Sequence, residues 1–84
     1  MISVGQTIKL KSLPELMSSG WTISNNELVP PYWKESCGIS PMSVMLGKYV
    51  HIIDINPMDV SFPYHVQRIG MPDKLWVPGS MIKV

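Results

Sequence analysis

The chain is expected to fold as a small, mostly β barrel, and three observations lead there. Eight prolines and six glycines interrupt 84 residues, so few segments between them exceed ten. That spacing leaves no room for long helices. Residues 48–55 (KYVHIIDI) form a run rich in β-branched and aromatic side chains, the composition of a strand. A turn at 56–59 then sends the chain back into a second β-like run, which makes a hairpin. A barrel also solves the problem of a thin sheet, because closure pairs the edges that would otherwise aggregate.

Taken in order, Thr7-Ile8-Lys9-Leu10-Lys11 alternates apolar and polar residues with the period of a half-buried strand. Leu13-Pro14-Glu15-Leu16-Met17 follows a serine, has proline in its first turn and ends before Gly20. It reads as one or two helical turns with Ser12 as N-cap. Trp21-Thr22-Ile23 and Glu27-Leu28-Val29 can pair as a hairpin across Ser24-Asn25-Asn26. Pro30-Pro31-Tyr32-Trp33 holds the chain extended. Ser40-Pro41 through Gly47 predicts a second brief helix, with serine cap, proline at the first position and glycine stop.

After the strand at 48–55 and its turn, Val60, Phe62, Tyr64 and Val66 are expected on one face of the returning strand. Ser61, His65 and Gln67 then lie opposite. Pro63 marks an edge or a bulge there, since it cannot donate to a ladder. Gly70–Lys74 turns the chain into its ending, Leu75-Trp76-Val77-Pro78-Gly79-Ser80-Met81-Ile82-Lys83-Val84: strand, Pro-centred turn, strand.

Length and composition bound the rest. Residues 1–84 make one domain, since a second core could not be built from so short a chain. Hydrophobic residues make up 45% and charged residues 15%, a globular composition with little charge. Low charge with seven Met and three Trp leaves apolar surface for a partner or a second copy. A net charge of +1 lacks the basic face that sequence-specific DNA binding would use. Cys37 is the only cysteine, which precludes an internal disulfide and a Cys-based zinc site. The N-terminus has no signal-peptide pattern, and no run approaches the roughly 18 apolar residues that span a bilayer. These features predict a soluble intracellular protein without a membrane partner.

The order at the C-terminus, with a hydrophobic residue before Pro78 and a β residue closing the chain, resembles the last third of SH3-like barrels. Leu46-Gly47-Lys48-Tyr49-Val50-His51-Ile52 is similar to the strand entry of small SH3-like barrels encoded in bacteriophage and prophage genomes. Ile8-Lys9-Leu10-Lys11-Ser12 and the helical turn at Leu13–Met17 fit the way those proteins begin. The resemblance implies an SH3-like barrel of about five strands with one or two short helical turns. In it a single turn after Val77 carries Ile82-Lys83-Val84 to pair beside Thr7–Lys11. It also implies a phage accessory protein in the host cytoplasm that inhibits or redirects a host factor by occupying its surface. The paired aromatics and acidic loop of eukaryotic peptide-binding SH3 domains have no counterpart here.

No catalytic constellation stands out. His51 and His65 lie on neighbouring predicted strands with Asp54 nearby, but a metal needs a third ligand and the spacing supplies none. Ordinary strand histidines are the favoured reading. Cys37 has no base beside it in Cys37-Gly38-Ile39-Ser40, so the thiol reads as structural. No phosphate-binding glycine motif occurs. No metal, cofactor or catalytic residue is therefore assigned.

Trp21, Trp33 and Trp76 with Tyr32, Tyr49, Phe62 and Tyr64 are too many rings for one thin core, so some must reach the surface. Trp21, Tyr32, Trp33 and Trp76, with Arg68 and Lys74, are the candidate binding residues. Such a set suits a protein interface or a homo-oligomer. It also suits RNA or a nucleotide signal, with bases stacked on rings and cations on phosphate. Trp76 leads the set, because strand alternation points it away from Leu75 and Val77.

Overall fold

The computed structural model describes residues 2–83. In chain order the elements are β1 (Thr7–Leu10), α1 (Leu13–Ser18), β2 (Thr22–Ser24), β3 (Glu27–Val29), β4 (Tyr49–Ile55), β5 (Tyr64–Arg68), β6 (Lys74–Val77), a 3₁₀ turn (Gly79–Met81) and β7 (Ile82–Lys83). Five strands form one antiparallel sheet in the order β6-β5-β4-β1-β7, and β2 pairs with β3 in a separate hairpin. The fold is mainly β, as expected, with one short helix and one 3₁₀ turn.

The strand order dictates the sheet's shape. β6 and β7 lie at opposite edges yet are consecutive in sequence. A flat five-stranded sheet would hold those edges about 19 Å apart, four spacings of about 4.8 Å. The connection is Pro78 and a three-residue 3₁₀ turn, which rises only about 2 Å per residue. The sheet must therefore curl, and it forms a half-barrel. Among the described residues the expected closure through hydrogen bonds does not occur, and β6 and β7 are the two edges of the sheet. β7 does pair with β1, through Lys9↔Lys83 and Leu10↔Ile82. Val84, expected in that strand, lies outside the described residues.

Inside the curl lie Ile8, Leu10, Val50, Ile52, Val66, Val77 and Ile82, one parity of every strand. The open side is filled by residues 16–45. Leu16, Trp21, Leu28, Cys37, Ile39 and Met45 join the same buried cluster. Residues 37–39 dock on β3, with the Cys37 amide donating to the Leu28 carbonyl (2.9 Å) and the Leu28 amide to the Ile39 carbonyl (2.8 Å).

Helix α1 begins as expected. The Ser12 hydroxyl accepts from the Glu15 amide while the Glu15 carboxylate accepts from the Ser12 amide, a capping box. Gly20 follows the helix at φ 96°, and a Cβ there would stand 3.2 Å from Pro31 Cβ. The β2–β3 turn is two residues rather than three. Asn25 and Asn26 both have positive φ, and Ser24 belongs to β2. That is the left-handed pair that matches strand twist in a tight hairpin.

Two expected elements differ. Residues 40–47 form successive turns, not a helix. The Ser40 and Ser43 hydroxyls accept from the Met42 and Met45 amides, and Gly47 turns at φ 74°. The serines offer the backbone local partners that compete with a helical ladder. The returning strand starts at Tyr64, not Val60. Asp59 Oδ1 accepts from the Ser61 and Phe62 amides and holds an irregular loop, with Val60 93% exposed. β5 is an inner strand, so Pro63 sits just before it and its carbonyl accepts from Asn56. The bulge lies across from it in β4, between Ile52 and Asp54.

One ion pair ties the helix to the last strand: Lys83 Nζ lies 2.9 Å from Glu15 Oε2. That bond, then those from the Ser12 amide and hydroxyl, lower the Glu15 pKa from 4.5 to about 2. A depressed carboxylate pKa adds stability that is complete above about pH 4.5 and is lost as pH falls toward 2. Thermal melts of Glu15→Gln should therefore show a smaller loss of stability across that window than the native chain. Removing residues 82–84 should abolish the cooperative transition, since it takes buried Ile82 from the core. The milder Ile82→Ala should cost about 2–5 kcal/mol, measured by urea denaturation. A retained native transition in the truncated chain would refute this role for β7.

Candidate functional site

Backbone pairing decides which side chains meet on the outer face of the sheet. In an antiparallel pair, residues that do not exchange hydrogen bonds bring their side chains closest. The bonds from Leu10 to Lys48 and from Ile52 to Gln6 make Thr7↔His51 and Lys9↔Tyr49 such pairs. The bond from Arg68 to Asp73 makes His65↔Trp76 another by alternation. Each close pair carries a side-chain contact. Thr7 Oγ1 lies 3.1 Å from His51 Nδ1. Lys9 Nζ stands 5.6 Å over the Tyr49 ring. The His65 and Trp76 rings stack at 4.4 Å and 6°.

Trp76 thus points outward as expected, and it is 36% exposed. One ring face is covered by His65, which lies toward β5. The other faces past the edge of the sheet, beyond β6. Lys74 shares this outer face, two residues away and opposite Gln67. Arg68 does not. It shares the parity of buried Val66 and pairs with buried Val50, so its register places it on the other face.

The remaining candidates form a second cluster. Trp21 is 3% exposed and belongs to the core, so it serves as an anchor rather than a contact surface. Rings meet edge to face from it outward: Trp21 to Tyr32 at 6.5 Å, Tyr32 to Trp33 at 6.0 Å, and Trp33 to Phe62 at 5.3 Å. Tyr32 is 55% exposed, and its hydroxyl lies 2.7 Å from Ser80 Oγ on the 3₁₀ turn. Trp33 is half-buried and borders an open cleft of about 370 Å³ with Lys34, Glu35 and Ser61. Gly79 permits the close packing of this end, since a Cβ there would stand 3.3 Å from the Tyr64 ring.

The histidines do not form an acid–base pair with Asp54. Asp54 is opposite His65 in register, but its Oδ1 accepts from the Ile55 amide. Among the described residues no group of three or more His, Cys, Asp or Glu could hold a metal ion. Cys37 is buried, and burial raises its pKa, the opposite of what activates a thiol.

Tyr49, counted among the rings but not among the candidate binding residues, is 60% exposed and the largest ring on the outer face of β4. Its parity, opposite to Val50 and Ile52, was the signal that could have found it. The Ser80 partner of Tyr32 is 48 residues away, and no local pattern encodes it.

The His65–Trp76 stack should show a coupling of about 0.5–1.5 kcal/mol. A double-mutant cycle of His65→Ala and Trp76→Ala in urea denaturation measures it, and additive effects would mean that the rings are merely adjacent. No protein-family model, curated protein or solved structure significantly matches this chain.

Proposed function

We propose that the protein acts by binding another protein through the Tyr32–Trp33 ridge. The observation that supports this most is Tyr32 itself: a ring more than half exposed yet held by Ser80, Trp21 and Trp33. A ring already held in place loses little freedom on binding, and pre-organisation of this kind raises affinity. Tyr and Trp are also the side chains on which interface energy concentrates. The resemblance to phage-encoded SH3-like barrels supports a host protein as the proposed partner, met in the host cytoplasm. In this reading the protein inhibits or redirects a host factor by covering its surface, without catalysis.

The outer face supports a second reading, an RNA or nucleotide binder. Lys9 over Tyr49, and Lys74 on the same face as Trp76, combine stacking rings with cations. Salt separates the two. Affinity for a partner captured from host extract should change little between 50 and 200 mM salt (about the range that weakens multi-phosphate contacts by 10³ or more). Tyr32→Ala should weaken that complex by about 2 kcal/mol or more while leaving the circular dichroism spectrum intact. Calorimetry that finds the same affinity for Tyr32→Ala and the native chain would refute the ridge. A steep salt dependence would favour the outer face and nucleic acid.

A further inference from the structure

The edge of β6 has unused hydrogen-bonding capacity. Alternation assigns the backbone groups of Leu75 and Val77 to β5, so those of Lys74 and Trp76 point away from the sheet. Among the described residues neither has another backbone partner. The uncovered face of Trp76 is directed the same way. Beside the strand an open hollow of about 330 Å³ runs between Leu75 and the 38–45 segment, lined by Ile39, Val44 and Met45 among others.

We infer that this edge pairs with the same edge of a second copy, antiparallel, about a two-fold axis at Leu75. The flanking prolines select that register. Centred on Leu75, Lys74 lies opposite the partner copy's Trp76 and Trp76 opposite its Lys74, so all four outward amides and their carbonyls find partners. A shift that centres Lys74 or Trp76 on the axis sets an outward-facing residue against Pro72 or Pro78, which has no N–H to give. A shift by a single residue sets outward groups against inward ones and forms no ladder.

Side chains agree with the backbone. In this register each Lys74 ammonium meets the open face of the other copy's Trp76, so the indole is sandwiched between His65 and a cation. The two Leu75 side chains meet on the core side of the joined sheets, next to the apolar hollow. Assembly stops at two copies. The pairing is isologous and consumes the β6 edge of each, so the joined sheets offer no second β6 edge for a third copy. A lysine and flanking prolines are also what blunt an edge in a monomer. Here the same residues define a single register, and the lysine has a ring to meet. The inference is independent of the Tyr32 ridge.

Sedimentation velocity over a wide concentration range should show mass rising from one chain to two and no further. Amide exchange should slow at Lys74 and Trp76 as concentration rises. Leu75→Cys should form a disulfide-linked dimer on mild oxidation, because a non-hydrogen-bonded pair on the axis puts its Cα atoms about 4.5 Å apart. Lys74→Cys, off the axis, should not. Buried Cys37 remains unreacted in both. Lys74→Glu should weaken association roughly tenfold, two cation–π contacts being lost. Lys74→Pro removes the outward amide as well as the ammonium but no hydrogen bond to β5, and should abolish association with the monomer's melting transition retained. A monomer at every concentration, or equal cross-linking of Leu75→Cys and Lys74→Cys, would overturn the inference.

Discussion

Everything in this fold depends on the short passage from Val77 to Ile82. One proline and one 3₁₀ turn join strands at opposite edges of a five-stranded sheet. No flat arrangement satisfies that link, so the sheet curls and creates an inside. The buried parity of each strand, from Ile8 and Leu10 to Val77 and Ile82, has a core to face only because of the curl. The link also positions Ser80 against Tyr32. One connection therefore sets both the core and one end of the aromatic ridge.

The half-barrel remains open, and the middle of the chain responds to that. Residues 16–45 supply Leu16, Trp21, Leu28, Cys37, Ile39 and Met45 to the cluster with little regular structure of their own. Their order comes from caps and local hydroxyl bonds at Ser12, Ser40 and Ser43, and from the pairing of residues 37–39 with Leu28. Glu15 serves twice here. It completes the helix cap and meets Lys83, relieving the like-charge opposition of Lys9 and Lys83 across β1 and β7. Lys9 in turn lies over Tyr49.

The outer face shows how pairing geometry becomes surface chemistry. Three close pairs give three contacts of different kinds: a hydroxyl on an imidazole, an ammonium on a phenol ring, and an imidazole on an indole. The same alternation leaves the outward groups of Lys74 and Trp76 free. Surface ring and free backbone coincide at Trp76 because both follow from its place in the ladder.

Sequence alone determined what is local. The Ser12–Glu15 cap, the asparagine turn, the β run at 48–55 and the outward direction of Trp76 are set by residues within a few positions of one another, where sterics and strand parity act directly. The Pro78 turn was legible as well, through the strand–turn–strand ending, whereas β7 beside β1 was only what the resemblance implied. Tertiary structure decided what depends on distant partners. Trp21 is core, not surface, because it joins a buried cluster with residues as distant as Val66 and Ile82. Arg68 falls on the other face from Trp76 because the β4–β5 register sets it against buried Val50, on the parity of buried Val66. The segment at 40–47 forms turns because its serines cap each one locally, and its Met45 packs into the core without a helix. Helical and strand periods can be read along a chain. Which ring is covered, and which strand edge is left open, depends on what packs against it from tens of residues away.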